Sequence, residues 1–266
     1  MYKNEKDFLQ EYDPRAYDPI SISVDNVVFG IDSKTEGENY RKLNQQKLTV
    51  LLIKRKEHPF LGQWSLPGGF VKKDETLHEA AIRSLNIKTG LRDIYTEQLY
   101  TFGNPNRDPR MRIVSCSYLS LIDRNKFEFE NEAEIKWFEV KIENDTLVLK
   151  SDNEDLSLRL RKTKKINFEI LSDSLLAFDH AEIVLNGLLR LQGKIEYTDI
   201  VFNLLPEKFT LTQVQSIYEI ILGEKLLKAA FRRKITNKIT ETGEYTSEKG
   251  HRPSQYYRFT PTGENL

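Results

Sequence analysis

The chain has 266 residues, which fits one large domain or two at the usual size of about 100 to 200 residues each. Its 40 basic and 40 acidic residues cancel, so no net field draws it toward nucleic acid or anionic lipid, and a charge-driven partner has to be met by a local patch. The first residues carry no apolar leader-type run and no later run approaches the roughly 20 apolar residues of a membrane span, so a cytoplasmic protein without membrane contact is expected.

Ser21 to Gly30, SISVDNVVFG, is β-rich, and Leu48 to Ile53, LTVLLI, is apolar enough for a buried strand; the polar stretch between them reads as a hairpin loop. One helix is expected after PGGFVKKDE, then strands over EQLYTFG, RIVSCSYLSLI and EIKWFEV. The single cysteine, Cys116, lies in the second of these runs; it excludes an internal disulfide and reads as a small core residue rather than a reactive thiol. Several strands around one helix predict an α/β or α+β domain with a mixed sheet. The stretch TLVLKSDNEDLSLRLRK then predicts an added hairpin near residues 147–163. It is followed by a helix over LLAFDHAEIVLNGLLRLQGK, with Asp179 as N-cap and Gly193 as stop. A boundary just after that helix gives units 1–193 and 194–266.

The stretch from Leu66 to Leu91, LPGGFVKKDETLHEAAIRSLNIKTGL, carries a spacing of its own. Gly69, Glu75, Arg83, Leu85, Gly90 and Leu91 fall on the pattern G, five residues, E, seven residues, R-E-U-x-E-E-x-G-U, with U aliphatic, after a W-x-L-P-G-G lead-in that starts at Trp64. This is the box of the Nudix hydrolases, and the chain resembles that family. Where the box has three glutamates, however, the chain has Ser84, Ile87 and Lys88. Residues at i, i+3 and i+4 share one helical face, where carboxylates can hold the Mg²⁺ ions that assist pyrophosphate hydrolysis. Serine is a poor ligand, isoleucine is none, and lysine brings a cation of its own. No catalytic or metal-ligating residue is therefore assigned, and no cofactor is expected. Retention of Glu75 and Arg83, which in the family resemble a structural brace, points to a kept fold. Glu79, Glu132 and Glu134 are the carboxylates from which a substitute Mg²⁺ site could be assembled; ordinary surface acids are the plainer alternative.

From Phe102 to Tyr118, FGNPNRDPRMRIVSCSY, three arginines crowd a Pro-rich loop: Arg107, Arg110 and Arg112. Planar guanidinium forks suit phosphate oxygens, and the alternative is a solvated basic loop braced by Asp108. The RDPR sequence resembles Nudix proteins that handle ADP-ribose, which favours ligand contact. Trp64, in the lead-in, is grouped with these ligand-binding candidates.

In the tail, FTLTQVQSIYEIILGEKLLKAAFRRKITNKI reads as helix, turn, helix, with Thr210 and Gln213 as a capping box and Gly223 as the turn. Leu227, Phe231 and Ile235, with Ala230, are expected to pack inward. Lys225 to Lys238 holds six Lys or Arg and no acid. Among these, Lys225, Lys228, Arg232 and Arg233, with Thr236, are candidates for a major-groove face; a merely solvated face is the alternative. The following ITETGEYTSEKGHRPSQYYRF predicts a two-stranded wing with Lys249, His251 and Arg252 near its tip, placed to touch phosphate or minor groove.

A Nudix-like front joined through LAFDHAEI to this tail resembles the Nudix-related transcriptional regulators, the NrtR-type repressors and their sugar-responsive relatives. The resemblance implies a homodimer that binds double-stranded operator DNA through its C-terminal winged helix and senses ADP-ribose, or in other branches a sugar, in its N-terminal domain. The competing reading is an active Nudix hydrolase of ADP-ribose pyrophosphatase type with displaced metal ligands, which alone would require Mg²⁺.

Overall fold

The computed structural model describes residues 4–32, 46–127, 129, 134–152, 154–162, 168–170, 176–246 and 253–261. A short helix, α1 (Glu5–Glu11), is capped by Asn4 and buries none of its residues. The strand β1 (Ser21–Asp32) follows, antiparallel to β2 (Lys47–Lys54); the loop expected between them falls mostly outside the described residues. Next come β3 (Trp64–Ser65), β4 (Gly68–Phe70), α2 (Leu77–Thr89), β5 (Tyr95–Phe102), β6 (Ile113–Ile122) and β7 (Ile135–Glu143). All the strands and the helix expected in this half are present. The sheet is mixed, because β1 runs parallel to β6 and antiparallel to β2 and β4.

The expected hairpin is β8 (Thr146–Ser151) with β9 (Glu154–Lys162), and β10 (Phe168–Ile170) pairs with it, so the sheet runs β10-β9-β8-β7-β2-β1-β6-β5. The hairpin extends the main sheet, because Leu147, Leu149, Leu156, Leu158 and Leu160 are buried in the same apolar cluster as Phe138 and Val140 of β7.

Alternation along β1 divides the layers. Val24 packs with Ala80 and Ala81 of α2, and Val28 with Leu85, on one face. Val27 and Phe29 face the other way, toward α3 (His180–Lys194), which presents Ala181, Val184 and Leu188. The helix comes so near that a Cβ at Gly187 would lie 3.0 Å from Val27 Cγ1. Two expectations for α3 are corrected. Asp179 occupies the N-cap place but its side chain caps nothing, being engaged by Arg107. Gly193 does not stop the helix, which runs on through Lys194.

Beyond α3, a 3-10 turn at Ile200–Leu204 is buried, and the chain enters β11 (Phe209–Thr210), α4 (Leu211–Leu222) and α5 (Lys228–Ile235), closing with β12 (Ile239–Tyr245) and β13 (Gln255–Phe259). The expected capping box at Thr210 and Gln213 is formed, and Gly223 ends α4 in the left-handed conformation at φ 74°. The strands pair in the order β11-β13-β12, giving a winged helix-turn-helix. Phe231 and Ile235 are buried as expected, but Leu227 is 80% exposed and Ala230 is exposed too. Glu219 Oε1 accepts from the Leu226 N–H and Gln215 Nε2 donates to the Leu226 carbonyl, so the turn lasts through Leu226, and that residue packs inward instead.

One apolar cluster runs from Val27 of β1 through α3 to Phe231 and Ile235 of α5, and Gln192 Nε2 of α3 donates to the Ile221 carbonyl of α4 at 2.9 Å. Among the described residues no helix is long and apolar enough to cross a membrane. The two glycines of α3 make a paired test. Gly187→Leu should destabilise by about 1 to 3 kcal/mol through overpacking against Val27. Gly193→Ala, whose Cβ meets open space, should be neutral or stabilise by up to about 1 kcal/mol; urea unfolding of both variants measures the difference.

Candidate functional site

The box helix α2 is built as its sequence requires. Thr76 and Glu79 form a reciprocal capping box, and Gly90 ends the helix at φ 76°. Arg83 donates to Glu75 at 2.7 and 2.5 Å and to the Phe70 carbonyl at 2.9 Å. That guanidinium holds the Glu75 carboxyl down to about 2. Ser84 is buried and donates to the Ala81 carbonyl at 3.0 Å while accepting from Asn26 Nδ2 at 3.3 Å. Only 3.5 Å separates its Cβ from where a Cβ at Gly69 would stand. Ile87 and Lys88 are exposed. This face offers a buried hydroxyl, a hydrocarbon and an ammonium, and does not fit a divalent cation. The substitute carboxylates are engaged elsewhere: Glu79 in its capping box and Glu134 with Lys56 at 2.7 Å, while Glu132 lies outside the described residues.

On the opposite face of the sheet, the same alternation that turns Asn26 toward α2 turns Asp25 toward the start of α3. The Asp25 carboxylate accepts from Ser115 Oγ at 2.5 Å and from Arg107 Nη2 at 3.4 Å, with His180 Nε2 at 3.5 Å. Arg107 also grips Asp179 through two bonds of 2.7 and 2.6 Å. His180 Nδ1 accepts from the Leu66 N–H at 2.9 Å, which leaves the proton on Nε2, toward Asp25. Burial pushes the imidazole below its ordinary value, against the pull of Asp25 and Asp179. Gly68 is required here, since a Cβ would stand 2.4 Å from both Asp25 Oδ1 and the Val24 carbonyl.

The ligand candidates therefore separate. Arg107 is buried, with its Nε and Nη2 engaged in this network. Arg110 is on the surface, bonded bidentately to Asp108 at 3.0 and 2.7 Å, with its guanidinium over the Phe70 and Phe178 rings. Arg112 is half-buried, and its Nη1 meets no hydrogen-bond partner among the described residues. Trp64 is turned into the core, edge-on to Phe138, with its indole N–H donating to Glu154 of the added hairpin.

At the other end of the chain, Lys225 precedes α5 and pairs with Glu219 at 2.6 Å, while Lys238 pairs with Asp199 at 2.5 Å and Lys234 lies over the Tyr218 ring. That leaves Lys228, Arg232 and Arg233 as exposed cations of α5 without an ion-pair partner among the described residues, with exposed Ala229 beside them. Thr236 is exposed and its hydroxyl donates back to the Arg232 carbonyl at 2.6 Å. Lys249, His251 and Arg252 lie outside the described residues.

Residues 41–155 match the model of the NUDIX domain, and residues 201–259 match that of the NrtR DNA-binding winged helix domain. A relative from Acinetobacter baylyi, the "ADPR responsive transcriptional repressor NtrR", is 34% identical over 263 residues, covering 97% of this chain and 89% of its own. The chain belongs to the NrtR family. Among solved structures it is similar to a MutT/nudix family protein from Enterococcus faecalis, with TM-score 0.76 and 29% identity over 97% of this chain and 94% of that one. It is also similar to Shewanella oneidensis NrtR complexed with a 27mer DNA, with TM-score 0.62 and 28% identity over 90% of this chain and 94% of that one. The NrtR architecture, a Nudix sheet with helices on both faces followed by a winged helix, is the one found here.

Sequence reading missed Asp25 and His180 as site residues and gave Asp179 only a capping role. Their signal in this NrtR-family chain is the FDH triplet, with a carboxylate and an imidazole at the first turn of a helix, whose buried partners only the sheet register reveals. Two outcomes follow from the network. Arg107→Ala strands two carboxylates and should lower stability by about 3 to 5 kcal/mol, read by urea unfolding. His180 is held below its ordinary 6.5, so the unfolded chain takes up a proton that the folded one refuses, and stability should fall as pH drops below about 6.5. Compared with wild type between pH 7.5 and 5.5, His180→Gln should lose less, and an equal loss in both proteins would contradict the burial of a neutral imidazole.

Proposed function

We propose that this chain is a homodimeric, cytoplasmic DNA-binding regulator whose Nudix-type unit, residues 1–193, binds ADP-ribose without hydrolysing it, and whose unit 194–266 binds operator DNA. The observation that carries this reading is the pairing, within one NrtR-family chain, of a box helix bearing Ser84, Ile87 and Lys88 with an α5 whose Lys228, Arg232 and Arg233 have no ionic partner among the described residues. Support for the ligand comes from the A. baylyi relative, whose name records a response to ADPR, and from the exposed guanidinium of Arg110 among aromatic rings. Support for DNA comes from the S. oneidensis protein, whose complex with a 27mer DNA shares this fold.

In this role α5 enters a major groove, where Arg232 or Arg233 can pair bidentately with guanine, while Lys228 contacts phosphate. The wing residues Lys249, His251 and Arg252 are assigned to the DNA backbone on sequence grounds, with Thr236 at the edge of the reading face. Two copies place two such helices on a two-fold symmetric operator with half-site centres about 34 to 36 Å apart or a multiple of that.

Selection from a random duplex pool, with and without ADP-ribose, tests the reading. A palindromic site is expected. Arg232→Ala or Arg233→Ala should cost about 1 to 3 kcal/mol at a particular base pair, whereas Lys228→Ala should weaken all sequences alike and reduce the salt slope by about one. ADP-ribose should change operator affinity by about 5- to 150-fold, the usual range of coupling between two sites. With Mg²⁺ or Mn²⁺ present it should be recovered intact; metal-dependent release of AMP at roughly 1 per second or faster would instead make the chain an ADP-ribose hydrolase.

A further inference from the structure

Two phenylalanines hold backbone conformations that bulky residues rarely adopt: Phe60 at φ 64° and Phe178 at φ 56°. Such conformations are costly and persist where the surrounding structure enforces them, commonly at ligand clamps. These two support each other, meeting edge to face with ring centroids 4.8 Å apart. Over Phe178, at 4.8 Å from its centroid, lies the guanidinium of Arg55, the first residue beyond β2. Its Nε donates to the Pro59 carbonyl at 2.7 Å and one Nη to the Glu57 carbonyl at 3.4 Å. The Arg110 guanidinium stands 5.7 Å from the same Phe178 ring.

Two cations thus converge on one half-buried ring, an arrangement that is electrostatically unfavourable unless an anion completes it. Arg110 has Asp108 as partner. Arg55 bonds only to main-chain carbonyls among the described residues, and burial together with the charge of Arg110 pushes its guanidinium below the ordinary value, against weaker opposing pulls from Asp108, Glu57 and Asp25. The place is the rim of the buried network, since the Phe178 ring also lies 5.3 Å from that of His180. Nothing in the box or the RDPR loop pointed to Arg55.

We infer that Arg55 and Arg110, converging over Phe178, form a diphosphate subsite, each guanidinium taking one phosphate of the ligand. The inference rests on the reading that the ligand is ADP-ribose, and it adds Arg55 to the site. A rigid fork held at its Nε by a main-chain carbonyl is oriented before the ligand arrives, and Phe178 fixes its plane. Asp108 orients Arg110 in the same way, leaving part of that guanidinium open to solvent.

Calorimetric titration of the full chain with ADP-ribose and, separately, with inorganic pyrophosphate tests the subsite. Arg55→Gln should weaken ADP-ribose at least about tenfold, as expected for a lost charge-assisted bond, abolish competition by pyrophosphate, and lower the salt dependence of ligand binding. Operator affinity without ligand and the melting temperature should stay near wild type. Equal ADP-ribose affinity in wild type and folded Arg55→Gln would overturn the subsite and leave the regulator reading standing. If wild type binds pyrophosphate through Arg55 but not ADP-ribose, the subsite stands and the ligand reading falls; if it binds neither, both fall. Should Arg55→Gln not fold, Arg55→Lys takes its place: the charge is kept and the fork lost, so affinity should drop about threefold or more, and an unchanged affinity would overturn the subsite.

Discussion

The buried guanidinium of Arg107 is the contact on which the arrangement of the sensing half depends. It reaches from the Pro-rich loop to Asp25 of β1 and to Asp179 at the entry of α3, so that loop, sheet and helix are fixed by one side chain. A charge this deep is tolerated because its donors are matched by two carboxylates and because Ser115 takes part of the load on Asp25. His180 then locks the helix to the strand before the box through the Leu66 N–H. The same interaction explains why the Asp179 side chain caps no N–H of the helix: its carboxylate is engaged by the buried cation, the stronger charge-assisted partner.

From that anchored start, α3 runs across the sheet to the winged helix. Gly187 lets it lie against Val27 without a gap, and at its far end Gln192 is bonded to α4. Because a single apolar cluster continues from β1 to α5, the two proposed units are packed as one body along this helix. A ligand held at the rim beside Phe178 would sit one residue from Asp179, where α3 is pinned, and any displacement there would be passed along a packed helix to α4. A hydrolase has no use for such a connection, whereas a sensor needs one.

The box was legible in the sequence because its meaning is in spacing: the brace of Glu75 and Arg83, the capping box at Thr210 and the turn at Gly223 are local, and their residue types declare them. The strands were legible from alternation. The roles of Trp64 and Arg107 were not, because a polar tip or a charge suggests solvent, and only the added hairpin's Glu154 and the register of β1 supply buried partners. Leu227 and Ala230 follow the period of a helix that starts too late to bury them, delayed by two side chains of α4 bonding to Leu226. Arg55 and Phe178 were hidden for another reason: their meeting depends on positive φ at Phe60 and Phe178, which no pattern of residue types specifies for phenylalanine.

The most direct measurement of a sensor joined to a DNA reader is reciprocity between its two ligands. The ADP-ribose affinity of the free protein and of the protein saturated with its selected operator should differ by the same factor as the operator affinities without and with ADP-ribose, as linkage requires when one molecule carries both sites. That common factor should be about fivefold or more, with the nucleotide recovered unchanged. ADP-ribose binding that is identical in the presence and absence of operator would contradict the account, because the Nudix-type unit and the winged helix would then share a core without sharing a function.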